Sequence, residues 1–228
     1  MNNEGDGGDD AGMKLAVFDC DGTLVDGQAP ICEAMENAFA VFGLVAPPRA
    51  LIRRAVGLSL PQAMRQLLPH SVRDQQLALA EAYREAFRAA RIDGRVSQPL
   101  FEGMADTLRA LAQAGWTLGV ATGMSDRGLE HCLAANGVSD LFVTLQTADR
   151  HPSKPHPAML EAALADAGAG PEQAVMIGDT QYDMAMARAI GVRAIGVDWG
   201  YHHPAELRDA GAERVVGTPQ ELTQALLG

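Results

Sequence analysis

Four short polar clusters in this chain of 228 residues carry side chains that could do chemistry: Asp19-Cys20-Asp21-Gly22-Thr23, Thr122-Gly123, Ser153-Lys154-Pro155, and Gly178-Asp179 with Asp183. Brought together, their four aspartates against one lysine leave three negative charges uncompensated. Carboxylates at such close quarters raise one another's pKa unless something offsets them. A divalent cation removes two of those charges, and a proton held on one aspartate removes the third. Ligands made only of oxygen favour Mg²⁺ over zinc, which prefers His or Cys. Lys154 stands out for a separate reason: the chain has 16 arginines and only two lysines. A compact ammonium among carboxylates is a job that arginine does poorly.

Each cluster follows a predicted strand or opens the helix after it. Residues 14–18 form a nearly continuous apolar run ending at Asp19, the pattern of a strand buried on both faces. Beyond Pro99 the pattern predicts helices over 102–114, 126–136, 157–167, 182–190, 204–210 and 219–227. Strands fall between them at 116–121, 141–145, 174–177, 193–197 and 214–216. Such alternation predicts an α/β fold, a doubly wound parallel sheet with helices on both faces. Sites in open parallel sheets lie at the carboxyl ends of the strands. The four clusters then meet if the first strand is central, beside the strands ending at Thr122 and Asp179.

Between the first strand and the rest, the pattern is helical only. Ile31, Ala34, Met35, Ala38, Phe39 and Phe42 make one helical stripe, closed by Gly43 and Pro47-Pro48. Further helices are expected over 49–56, from Ser59-Leu60-Pro61 onward, and over 72–90. That block is too long for an ordinary crossover. The expected organisation is a disordered acidic tail at 1–12, an α/β core from 13–26 and 98–228, and an inserted all-helical subdomain at 27–97.

A hydrophobic share of 47% supports a real core, and the net charge of −11 excludes the basic face that nucleic acid requires. The longest uncharged stretch, 110–125, is too short and too polar to span a membrane. The N-terminus is acidic where a signal peptide is basic. Three cysteines without CxxC spacing suggest free thiols and a cytoplasmic protein. The expected partner is a small molecule; no oligomeric state is assigned.

The ordered pattern DxDxT…T…K…GDxxxD resembles the haloacid dehalogenase-like hydrolases, over roughly residues 14–228. The placement of the helical insert is similar to the helical-cap subgroup that contains phosphoglycolate phosphatases. The resemblance implies a Rossmann-like core with a cap, and a role for each cluster. Asp19 is implied as a nucleophile forming an aspartyl-phosphate, and Asp21 as general acid and base. Mg²⁺ is implied on Asp19, the Asp21 backbone carbonyl and Asp179, with Asp183 orienting metal waters or Lys154. Thr122, Gly123 and Lys154 are implied at the phosphoryl group, with Lys154 also tethering Asp19 and Thr23 bracing the loop.

The implied activity is Mg²⁺-dependent hydrolysis of a small phosphomonoester, phosphoglycolate first. A phosphosugar mutase, a pyrophosphatase or nucleotidase, and a phospho-acceptor signalling domain are the alternatives. A dehalogenase is disfavoured, because that chemistry has no phosphate leaving oxygen for Asp21 to protonate. Specificity is expected from the insert closing over the crevice, with residues 56–60 in contact. Arg53, Arg54 and Arg65 read as solvated cations, one of which could reach the crevice to clamp a substrate carboxylate. His151, His156, His202 and His203 read as loop residues, His156 as one that could border the pocket, and Cys20 as core.

Overall fold

A computed structural model describes residues 13–228; the acidic tail at 1–12 lies outside the described residues. Strand β1 (Lys14–Phe18) is buried over four of its five positions, as its unbroken apolar run requires. The chain then leaves the sheet for four helices, α1 (Gln28–Val41), α2 (Arg49–Arg54), α3 (Leu60–Leu67) and α4 (Arg73–Ile92). These build a core of their own in which Ile31, Met35 and Phe39 of the α1 stripe meet Ile52, Met64 and Leu79. Phe42, the last residue of that stripe, is instead 42% exposed, because the helix ends at Val41 and the chain turns away at Gly43. Helix α2 is shorter than its periodicity suggests. Ala55 and Val56 close a tight turn onto the carbonyls of Ile52 and Arg53 and lead into Gly57.

The chain re-enters the core beside the point where it left. Asp26 donates to the Pro99 carbonyl at 2.9 Å, and Val25 bridges Leu100. Alternation then follows: α5 (Met104–Gln113), β2 (Trp116–Thr122), α6 (Asp126–Ala135), β3 (Phe142–Thr147), α7 (Ala158–Ala167), β4 (Ala174–Gly178), α8 (Gln181–Ala189), β5 (Arg193–Val197), α9 (Pro204–Ala210), β6 (Arg214–Val216) and α10 (Pro219–Leu227). Strand β3 runs two residues past its expected end. Gln146 and Thr147 are polar, but they pair in register with Ala121 and Thr122, and Gln146 donates to Thr144 and Asp166.

The six strands are parallel in the order β3-β2-β1-β4-β5-β6, so β1 is central between β2 and β4. Successive side chains go to opposite faces. Ala16 and Phe18 pack with Leu118, Val120 and Ile177 beneath α5, α6 and α10, whereas Leu15, Val17 and Met176 meet α7, α8 and α9. Full burial of each large side chain is worth roughly 1.5–3 kcal/mol. That apolar packing fixes where the carboxyl ends of β1, β2 and β4 lie, and with them the polar clusters. No helix among the described residues is long and apolar enough to cross a membrane.

Candidate active site

The loop after β1 is held by its own backbone. The Asp19 amide donates to the Ile177 carbonyl at 2.9 Å, keeping the chain in the sheet to its last residue. The amides of Thr23, Leu24 and Val25 then fold back onto the single carbonyl of Cys20. Gly22 completes the turn at φ +87°, where a Cβ would also strike the Asp179 carboxylate and the Tyr201 ring. Cys20 points into the core with its sulfur 4.0 Å from that of Cys132.

Asp19, Asp179 and Asp183 are fully buried, and each offers a carboxylate oxygen within 4.8 Å of the other two. Lys154, preceding a cis peptide bond to Pro155, lies 3.0 Å from Asp19 Oδ1 and 2.6 Å from Asp183 Oδ1. The second oxygen of Asp183 accepts from the Thr180 amide at 3.1 Å and the Thr180 hydroxyl at 2.6 Å, a bond set that also caps α8. Asp179 Oδ1 accepts from the Thr23 hydroxyl at 2.8 Å and Oδ2 from the Tyr201 amide at 2.9 Å. Trp199 donates its indole N–H to the Thr23 carbonyl. Two atoms beside the cluster are left over among the described residues, the Tyr201 hydroxyl and one carboxylate oxygen. Asp19 Oδ2 is buried with no hydrogen-bond partner among the described residues.

A buried carboxylate oxygen without a donor is costly unless a charge completes it. The orphaned atom, the all-oxygen donor set and the excess of negative charge fit a hard divalent cation held by Asp19 and Asp179. The protonation equilibria carry the same message. Burial pushes the Asp19 carboxyl up to about 7, with Lys154 opposing and Asp183 adding. Burial likewise raises Asp179 well above the usual range, with Asp19 and Asp183 adding. Lys154 resists its own burial because the Asp183 and Asp19 carboxylates hold it above the ordinary lysine value.

Asp21 faces the same side as Asp19 but belongs to a different space. Its Oδ1 accepts from Gln98 Nε2 at 3.1 Å, and burial pushes its carboxyl up to about 6 against that bond. It lines a cavity of about 430 Å³ between core and cap, together with Thr122 and Gly123. The Thr122 hydroxyl accepts from the Met124 amide at 3.3 Å. The cap's α2–α3 connection lies over the cluster: a Cβ on Gly57 would come within 3.7 Å of Asp19 Oδ2. It is pinned from the core side. Ser59 donates its amide to Ser153 Oγ at 2.8 Å, Arg54 pairs with Glu206, and the Tyr182 hydroxyl donates to the Arg54 carbonyl at 3.2 Å.

Gly123 shows how close this approach is. A Cβ there would collide with the Leu58 carbonyl oxygen and come within 2.8 Å of that of Gly57, both backbone atoms. Gly123→Ala is therefore expected to fold normally by circular dichroism while the cap fails to seat. An ångström of misplacement at a reacting centre lowers kcat/KM by about a hundredfold. Steady-state kinetics within twofold of the parent would contradict this seating.

Two expectations need correction. None of Arg53, Arg54 and Arg65 lines the Asp21 cavity: Arg53 donates to Gln28, Arg54 to Glu206 and Arg65 to Gln62. The arginines on the cavity wall are Arg84, Arg88, Arg91 and Arg127, three of them from α4. His202 is no plain loop residue either. It is 3% exposed, edge-on to Tyr182, with Nδ1 accepting from the Gln181 amide and Nε2 donating to the Arg54 carbonyl. His156 borders a second, more open depression with Ser153 and Lys154, and Arg65, though absent from the Asp21 cavity, lines this one.

Sequence reasoning passed over Gln98, Thr180 and the segment Trp199-Gly200-Tyr201. The last follows β5, so the rule that sites form at strand carboxyl ends could have flagged it. Gln98 carries no such signal, because its partner Asp21 lies across the whole insert.

A family model for haloacid dehalogenase-like hydrolases matches residues 16–197. The chain is 34% identical over 213 residues to the probable phosphatase IndB of Dickeya dadantii (strain 3937), covering 92% of both. It is 30% identical over 195 residues to a phosphoglycolate phosphatase of Pseudomonas putida, covering 83% of this chain and 71% of the relative. In three dimensions it matches a haloacid dehalogenase-like family hydrolase from Streptococcus pneumoniae with a TM-score of 0.82. That pair shares 25% identity over 94% of this chain and 98% of the other.

Proposed function

The chain belongs to the haloacid dehalogenase-like hydrolases, and within that family we propose that it is a Mg²⁺-dependent phosphatase, releasing inorganic phosphate from a small phosphomonoester by way of phosphorylated Asp19. The observation that carries this reading is the division of space between two carboxylates of one loop. Asp19 lies among Lys154, Asp179 and Asp183, while Asp21 lines the adjoining cavity that can take a leaving group.

The Asp19 carboxylate attacks phosphorus in line and forms a mixed anhydride as the bond to the leaving oxygen breaks. Asp21 gives its proton to that oxygen. The product alcohol departs, and Asp21, now ionised, takes a proton from the water that attacks the phosphorus of the anhydride. Inorganic phosphate leaves and Asp19 is restored. Lys154 holds Asp19 in place and offsets charge on the phosphoryl oxygens, with Thr122 and Gly123 facing the same group. Thr23 braces Asp179, and Asp183 braces Lys154. Asp19, the Asp21 backbone carbonyl and Asp179 would hold Mg²⁺, which would supply positive charge to offset that of the phosphoryl oxygens. The cap over Asp19 excludes bulk water from the anhydride until the alcohol has gone. The 4.0 Å between the free thiols of Cys20 and Cys132 suits a reducing cytoplasm.

Phosphoglycolate, named in the Pseudomonas putida relative, is the first ester to test. A panel of phosphate esters assayed with Mg²⁺ and with EDTA should give inorganic phosphate only with the metal. Asp21→Asn should slow turnover of an alkyl phosphate by about 10²–10⁴-fold. It should slow the first-turnover burst of p-nitrophenol much less, since that leaving group needs no proton, while breakdown of the anhydride slows with either ester. An isomerised sugar phosphate as the product, or a stable phosphoprotein without turnover, would overturn the phosphatase reading.

A further inference from the structure

We propose that the cavity between cap and core takes a leaving alcohol with an apolar body and an anionic oxygen group, which Arg91 binds. The inference rests on the phosphatase reading and adds the substrate class to it. At about 430 Å³ the cavity is within the range of sites that hold ligands much larger than a two-carbon acid. Ile31, Met35 and Ile52 supply apolar wall from the cap, and Asp21 marks the end nearest the phosphoryl group.

The charge on the wall is opposite to that of the chain. Four arginines face two aspartates there, in a protein of net charge −11. Asp21 is already bonded to Gln98, and Asp149 accepts from the Asp126 amide. Of the four arginines only Arg84 is paired, with Glu81; Arg88, Arg91 and Arg127 are not paired among the described residues, and Arg91, in the last turn of α4, is set apart by a buried nitrogen. Its guanidinium lies over the Phe87 ring at 5.3 Å, yet its Nε is buried with no hydrogen-bond acceptor among the described residues. Neither Arg91 nor Arg127 forms an ion pair among the described residues.

Burial and the positive charge of Arg127 hold Arg91 below the ordinary arginine value, the reverse of the paired Arg49 and Arg54. Two guanidiniums that repel each other across a cavity are both relieved by one anion. Tyr83 lies within the influence of both Asp21 and Arg91. Burial and the Asp21 carboxylate push its phenol up, while Arg91 opposes them.

The test compares 5-phosphooxypentanoate with pentyl phosphate, which has the same chain length and no carboxylate. The full-length chain with Mg²⁺ should prefer the acid by about tenfold to a hundredfold in kcat/KM, chiefly through KM. Arg91→Met should bring that ratio close to one, and Arg91→Lys should keep part of it. Calorimetric binding of the same two esters to Asp19→Asn protein, with and without Arg91→Lys, reads the preference and the share due to Arg91 without turnover, and decides the matter even if Arg91→Met does not fold. Equal binding and equal KM for the two esters, or an undiminished ratio in a folded Arg91→Met protein, would overturn the assignment. Phosphate release from p-nitrophenyl phosphate tests the phosphatase reading separately, because that ester has no distal anion.

Discussion

Asp19→Asn is expected to lower turnover by at least about 10⁴-fold, the scale of losing a nucleophile that nothing else replaces, while leaving the fold intact. An amide keeps an acceptor for the Lys154 ammonium, now 3.0 Å from Asp19 Oδ1, and for the Cys20 amide at 2.6 Å. The variant also removes one of three carboxylates crowded without exposure to water. The two changes oppose each other, so its melting temperature in EDTA should stay within a few degrees of the parent, where one kcal/mol moves a domain of this size by about 2–4 °C. The mechanism has a direct readout besides rate. Acid-quenched single turnovers with a radiolabelled phosphate ester should label the peptide containing Asp19 in the parent and leave the variant unlabelled. Label at another residue, or a variant with more than a hundredth of parental activity, would remove Asp19 as the nucleophile.

Lys154→Met carries the largest expected effect on stability. Lys154 is 1% exposed and, among the described residues, is the only cation within salt-bridge distance of the buried carboxylates. Methionine fills a similar volume but leaves Asp19, Asp179 and Asp183 without compensation. Breaking a buried ion pair from one side costs about 3–5 kcal/mol, or roughly 10 °C in melting temperature for a chain of this length. Activity should fall as well, since Asp19 loses its tether. Added Mg²⁺ should raise the variant's melting temperature more than the parent's, because the ion then provides the only positive charge in the cluster. Scanning calorimetry with and without the metal checks both statements. A variant that melts with the parent in EDTA would show that the carboxylates do not depend on this lysine.

The pieces of the fold that sequence made legible share a property: each is encoded within a few residues. The unbroken apolar run before Asp19 marks a strand buried on both faces, and alternation after Pro99 marks a parallel sheet. The insert announces itself as a stretch with helical periodicity alone, and its stripe from Ile31 to Phe39 is the face it buries. Where the reading drifted, a local signal had competition. Gln146 and Thr147 look like the end of a strand until Thr144 and Asp166 are there to receive the amide of Gln146.

The site divides in the same way. The grouping of Asp19, Lys154, Asp179 and Asp183 in one buried cluster was foreshadowed by residue types and their order along the strands, and the roles proposed for them and for Asp21 rest on the same signal. Which oxygen of Asp19 is left without a donor was not foreshadowed, because it depends on where Lys154 and the Cys20 amide settle. Nor could the pocket arginine be chosen from sequence. Arg54 is claimed by Glu206, 152 positions away, while Arg91 is carried to the cavity by the twenty-residue helix α4 and left there unpaired. Periodicity and charge are properties of a short segment and survive in one dimension. The partner that a long, flexible guanidinium takes is settled by competition among groups that only folding brings within reach.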